Sequence, residues 1–181
     1  MLPPSRPQQA KSKTQALLTK ARVDDAVALV GIRGYYSDSM GVPGKNDRGI
    51  YDDAIFLVSP NAYATFNANT DPSVKRQGIA VLKPGVHRYR KGKHGLSKPG
   101  GGYPALRPAN PAEALPVTRD GAGDSMGVAI NIHRGGYNTT SSLGCQTIHP
   151  SQWPAFIGLV YAEMDRTGQK TIPYLLIEEE A

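Results

Sequence analysis

A single cysteine, Cys145, stands in the run Ser142-Leu143-Gly144-Cys145. A thiol attacks well only as thiolate, and its ordinary pKa of about 8.5 means that it needs a base or a positive charge beside it. Upstream, Ile130-Asn131-Ile132-His133 reads as a strand that delivers a histidine into the turn Arg134-Gly135-Gly136. If the chain folds back there, His133 comes beside the Cys145 loop and serves as its base. Gly144 lets the backbone approach closely, so amide N–H groups around Cys145 can face a developing oxyanion. Nucleophile, base and oxyanion hole then come from one short segment. Other groups carry less. Asp47, Asp52 and Asp53 form an acidic set suited to a cation or a substrate amine, or to a solvent-facing turn. His87, His94 and His149 add imidazoles, but no H-x-x-x-H or H-E-x-x-H spacing is present, so neither a metal site nor a cofactor is expected.

The elements that must position these residues are short. Ala26 to Ile32 is a continuous apolar run and reads as a buried strand. Asp53 to Ser59 and Tyr63 to Phe66 flank Pro60-Asn61 as a hairpin, and Gly78 to Tyr89 reads as a second strand pair around Lys83-Pro84-Gly85. Residues 91–124 are rich in Gly and Pro and read as one long irregular loop. Val128 to His133 is the strand that carries the histidine. Trp153, Phe156, Ile157, Val160, Tyr161 and Met164 repeat at helical spacing, with Ser151 as the expected N-cap and Gly168 as the stop. Ile172 to Ile177 closes the domain as a strand. Residues 1–13 read as disordered and Thr14 to Arg22 as a short helix. The chain thus divides into a basic, largely disordered arm over 1–22 and a single catalytic domain over 23–181.

Composition narrows the choice. With 20 Gly and 15 Pro in 181 residues, a helical bundle is excluded and short strands with many turns are favoured. No apolar stretch is long enough to span a bilayer, and the N-terminus lacks a hydrophobic signal core. One cysteine excludes an internal disulfide. The formal charge of +6 is uneven: residues 1–22 carry five basic and no acidic residues, and residues 75–98 carry eight and none. Such patches attract polyanions such as nucleic acid, anionic membranes or wall polymers. Arg88-Tyr89-Arg90-Lys91 mixes aromatic and basic residues as nucleic-acid surfaces do, but no RNA- or DNA-binding motif accompanies it. A role in holding substrate carboxylates beside the cleft is preferred.

The segment from Ile130 to Ile148 resembles the catalytic core of the L,D-transpeptidase (YkuD-type) family. That family pairs a histidine-glycine element with a Ser-x-Gly-Cys element, matched here by His133 and by Ser142, Gly144 and Cys145. Leu143 stands where the family usually has a second histidine, Gln146 and Thr147 fill the position after the cysteine, and Arg134 separates His133 from its glycines. Small bacteriophage relatives of the family carry a similarly compact segment. The resemblance implies a mainly-β, sandwich-like domain with the site on one side, to which the helical periodicity adds one C-terminal amphipathic helix. It implies a cysteine peptidase or transpeptidase that cleaves or exchanges an amide bond at the meso-diaminopimelate centre of the peptidoglycan stem. Catalysis falls to Cys145, His133 and Ser142, the oxyanion to the backbone N–H groups of Leu143, Gly144 and Cys145, and substrate contacts to Arg134, Gly136, Gln146, Arg88 and Arg90. Asn131, Ser142 or a carbonyl of Gly135 or Gly136 would orient His133. Peptidoglycan is the expected partner, and the expected setting is a phage lysis or virion enzyme, made without a Sec signal and carried to the wall by a holin or an injection apparatus. The alternative is a non-catalytic wall-binding or virion structural module on the same fold.

Overall fold

The computed structural model describes residues 1–97 and 99–178. The chain is mainly β. In order it forms α1 (Lys11–Lys20), β1 (Ala28–Arg33), β2 (Asp53–Val58), β3 (Tyr63–Asn69), β4 (Ala80–Leu82), β5 (Gly85–His94), β6 (Tyr103–Pro108), β7 (Ala114–Arg119), β8 (Gly123–Val128), β9 (Ile132–Arg134), β10 (Gln146–Ile148), α2 (Trp153–Arg166) and β11 (Thr171–Glu178). Eight strands close into a ring in the order β1-β11-β5-β6-β9-β10-β3-β2, and β4-β7-β8 form a separate small sheet.

The apolar run of β1 is buried on both faces, which is why it shows no alternation. Leu29 joins Ile55 and Leu57 of β2 in the main core, while Ala28, Val30 and Ile32 join Ala54, Phe56 and Val58 under Leu18 of α1. Gly31 is obligatory there: a Cβ would sit 2.1 Å from the hydroxyl oxygen of the buried Tyr174. On α2, Trp153, Phe156, Val160 and Met164 enter the main core as their spacing requires. The helix stops before Gly168, at φ 70°. The expected hairpin is β2–β3, paired from Asp53↔Ala68 to Val58↔Tyr63.

Several expectations need correction. The strands around Lys83-Pro84-Gly85 do not pair with each other, because β4 pairs with β7 while β5 is taken by β11 and β6. Residues 91–124 are not a loop; they contain β6, β7 and the start of β8. The strand expected over 128–133 is broken at Ala129, whose φ of 55° turns the chain out of the small sheet and into the ring. Ser151 does not cap α2: its hydroxyl bonds His149 Nδ1 at 2.7 Å, and Gln152 occupies the cap position with its side chain turned to Asn67 instead of the helix. The N-terminal residues, expected to be disordered, lie along the ring. Tyr36 Oη and Asn67 Nδ2 both donate to Ser5 O, Gln8 N donates to Tyr35 Oη, and Pro3 and Pro7 are buried. Tyrosine hydroxyls supply the partners that the arm's polar composition hides.

Candidate functional site

β9 and β10 are adjacent and parallel, with Gln146 opposite Ile132, Thr147 opposite His133 and Ile148 opposite Arg134. Their register puts Cys145 two positions from His133 across the pair, about 8 Å between Cα atoms from the strand spacing and rise. Thr147 is also opposite Asn69 of β3. Ile132, Ile148 and Ala68 face the main core, so His133, Thr147 and Asn69 share the opposite face.

The Cys145 loop is held by its own serine. Ser142 Oγ accepts from Gly144 N at 3.0 Å and donates to Cys145 O at 2.7 Å. Ser73 pins the same turn, its Oγ accepting from Ser142 N at 2.8 Å and its N donating to Ser142 O at 2.8 Å. Ser142 therefore shapes the loop and makes no bond to His133 or to the thiol. Gly144, at φ 131°, would place a Cβ 2.7 Å from Ala80 O of β4, so only glycine passes there. The expected oxyanion hole is smaller than three amides, because the Gly144 N–H is already given to Ser142. The amides of Leu143 and Cys145 donate to no acceptor among the described residues. Ala129 and Ser141, two of the four non-glycine residues at positive φ among the described residues, flank this loop and its neighbour, a local strain that functional sites concentrate.

The thiol is not primed at rest. Cys145 Sγ accepts from Asn131 N at 3.4 Å and donates to Ala129 O at 3.5 Å. The residue is half-buried, and the protein packed around its sulfur pushes the thiol up to about 11, an effect that the Asn131 N–H and the charge of Arg107 offset only in part. His133 is buried. Its Nδ1 lies 2.7 Å from Arg134 O and 3.3 Å from Tyr103 Oη. A carbonyl can only accept, so Nδ1 carries the proton and the lone pair of the neutral ring is on Nε2. The carbonyl of Arg134 thus orients His133, in place of Asn131, Ser142, Gly135 or Gly136. Tyr103 Oη also donates to that carbonyl at 3.2 Å, and the Arg134 guanidinium lies over the Tyr103 ring at 4.9 Å.

Three residues outside the Ile130–Ile148 segment complete this face. His94 of β5 stacks on His133 with centroids 3.8 Å apart and planes 14° apart. Its Nδ1 is 3.1 Å from Asn131 Nδ2. Tyr103 comes from β6 and Asn69 from β3. Among the described residues, the buried oxygens Asn69 Oδ1, Asn131 Oδ1 and Thr147 Oγ1 have no hydrogen-bond partner, and Asp52 Oδ1 joins them. Buried polar atoms are paired in the great majority of cases, so three in one neighbourhood mark it.

Most residues expected to touch substrate are placed differently. Gln146 is fully buried, its amide donating to Gly144 O at 3.3 Å and accepting from Tyr174 Oη at 3.1 Å, so it fastens the loop to the core. Gly136 gives its carbonyl to Tyr51 Oη at 2.6 Å. Arg134 is exposed beside the site, as is Leu143 at 66%. Arg88 and Arg90 lie six and four residues before His94 on β5 and pair elsewhere: Arg88 with Asp25 at 2.8 Å and Arg90 with Glu113 at 2.5 Å. Lys98, part of the same basic run, lies outside the described residues.

His87 bonds Lys83 O at 2.8 Å and burial lowers its pKa. Among the described residues no group of three His, Cys, Asp or Glu side chains is placed to hold a metal ion, and no helix is long and apolar enough to cross a membrane. The acidic set caps turns: Asp53 accepts from Gly34 N at 2.6 Å and Thr70 N at 2.5 Å, and Asp52 from Asp47 N at 2.8 Å. Burial pushes Asp52 up to about 6. No protein-family model, curated protein or solved structure matches this chain.

Proposed function

We propose that the chain is a cysteine-dependent enzyme of peptidoglycan, acting on an amide bond at the meso-diaminopimelate centre of the stem peptide. The observation that carries the reading is the pairing of β9 with β10, which sets the one thiol two register positions from a histidine whose Nδ1 is fixed by a carbonyl. The Ser-x-Gly-Cys resemblance supplies the substrate class.

In the reaction, His133 Nε2 takes the proton from Cys145 Sγ as the sulfur attacks the carbonyl carbon. Because burial raises the thiol, His133 removes its proton as the sulfur attacks. The carbonyl π pair moves onto oxygen, which the N–H groups of Leu143 and Cys145 face. On collapse the C–N bond breaks, and His133 returns its proton to the leaving amine. Water then adds to the thioester and releases the acid and the thiol; an amine acceptor in its place makes the same protein a transpeptidase. Incubation with purified peptidoglycan, followed by mass analysis, tests this. New fragments that differ by one cleaved amide and vanish with Cys145→Ala support it.

An alternative reading has an observation of its own. The raised thiol and the occupied Gly144 amide suit a fold whose cysteine only packs, which makes a wall-binding or virion structural module. Sedimentation with intact sacculi without fragment release identifies that case.

A further inference from the structure

The ring of His94 is the group of this face that the sequence segment around Cys145 does not supply. It comes from the last residue of β5, 39 positions before His133 in the chain. Its neighbours tie it to the site directly and, through Asn131, to the sulfur. It stacks on His133 at 3.8 Å and 14°. Its Nδ1 takes the Asn131 side-chain amide at 3.1 Å. The backbone N–H of the same Asn131 donates to Cys145 Sγ at 3.4 Å. Asn131 thus holds the sulfur through its main chain and His94 through its side chain, and His94 holds the flat face of His133.

We infer that His94 is a positioning residue for the His133–Cys145 pair: its stacked ring sets the plane of the His133 imidazole while Asn131 ties that ring to the sulfur. This rests on the reading of Cys145 and His133 as nucleophile and base. The contacts of His133 Nδ1 with Arg134 O and Tyr103 Oη hold one nitrogen, and a flat partner parallel to the ring sets its plane. An amide N–H donates, so His94 Nδ1 meets it with its lone pair and that ring keeps its proton on Nε2. When His133 takes the thiol proton, the ring of His94 stays parallel to it and holds its plane. The parallel planes distinguish this contact from the tilted ring pair of His94 and Tyr103, at 5.7 Å and 55°.

The test compares His94→Leu, which fills the space without a flat ring, with His94→Phe, which keeps the ring and loses the acceptor. Each full-length variant is read by thermal melting, by iodoacetamide alkylation of Cys145 at pH 8 followed by intact mass, and by kcat and KM on a soluble stem-peptide substrate. His133→Ala is the reference. The expected result is that His94→Leu slows alkylation and lowers kcat by about tenfold to a hundredfold, the scale of a misplaced base. KM should stay within about twofold, and His94→Phe should recover most of the loss. Equal rates for His94→Leu and the parent overturn the inference, as does an equal loss in both variants, because the flat ring would then not be the agent. If His94→Leu does not fold, the comparison of His94→Phe with the parent decides: a rate within about threefold supports the inference and a larger loss overturns it. If His133→Ala alkylates like the parent, both the cysteine–histidine reading and this inference fall. If the parent leaves peptidoglycan uncut but alkylation still depends on His133 and on the ring at 94, the substrate reading falls and this inference stands.

Discussion

β5 holds two kinds of polar surface a few residues apart. In the charged half of that surface, Arg88, Arg90 and Lys91 each meet an acid: Asp25, Glu113 and Asp165. At the end of β5, His94 joins a face where Asn69, Asn131 and Thr147 keep buried oxygens without partners among the described residues. The charged half suggests function in the sequence because its cations are dense, yet those cations are satisfied. At the strand's end the sequence marks Cys145 and His133 but not the oxygens of Asn69, Asn131 and Thr147 around them, which lie on separate strands and are buried without partners among the described residues. An unpaired buried acceptor costs about 1–3 kcal/mol. A fold tolerates several together where something other than stability maintains them, and the Cys145 loop beside them is strained in the same sense.

The sharpest break of this comparison is Cys145→Ala. Loss of peptidoglycan fragments to background, with an unchanged melting curve, is expected. Persistent digestion, read by mass analysis, would move the chemistry out of this face altogether.

Next in size is Gly144→Ala. The new methyl meets Ala80 O at 2.7 Å, and the backbone stays at φ 131°. The expected cost is about 2 kcal/mol in chemical denaturation, with loss of activity because the Ser142–Gly144–Cys145 turn must shift. Unchanged stability would mean that the loop is looser than its bonds imply.

Titration adds a further contrast. Burial pushes the Cys145 thiol up to about 11, so the folded state favours the protonated form. That contribution to stability is complete below about pH 9 and is lost as pH rises through about 11. Denaturation midpoints of the parent should fall over that window more steeply than those of Cys145→Ala, and alkylation should rise steadily with pH above neutrality. Asp52, raised to about 6, contributes stability present below about pH 4 and lost as pH rises through 6. Asp52→Asn should therefore melt higher than the parent at pH 7 and should flatten the slope between pH 4 and 6.

The legible parts of this molecule are those whose signal is local. The helical repeat from Trp153 to Met164, the Gly168 stop and the apolar runs of β1 and β2 each carry their reason within a dozen residues. Cys145 and His133 stand out for the same cause. The strands within 91–124 do not: Gly123 to Val128 is almost wholly exposed and Tyr103 to Pro108 carries two prolines, so neither shows an apolar period. His94, Tyr103 and Asn69 reach the site only through the order of strands in the ring, which no short window contains. Gln146 misleads because a polar residue beside a nucleophile suggests substrate, whereas its partner is Tyr174 in the core. Arg88 and Arg90 mislead because the acids that neutralise them lie 63 and 23 positions away in the chain.

The smallest effect is expected from the most charged change. Neutralising Arg88, Arg90 and Lys91 together removes three cations from a segment whose composition suits an anionic polymer. In the fold, each guanidinium or ammonium already faces a carboxylate, and the Arg88, Arg90 and Lys91 side chains keep 51, 44 and 31% of their surface in water. Exposed pairs of this kind contribute about 0–1 kcal/mol each and fade with salt. Removing the cations also frees Asp25, Glu113 and Asp165, and Glu113 keeps Arg107 as a partner. The local field at the site therefore changes little, because Arg107, the cation that acts on Cys145, remains. Sedimentation with sacculi and kcat on a soluble stem peptide should both stay within about twofold of the parent at low salt, with a small drop in melting temperature. A large loss of sacculus binding that recovers as salt is lowered would show that the polymer competes with these acids for the β5 cations, and the division between a satisfied strand and an unsatisfied site would have to be redrawn.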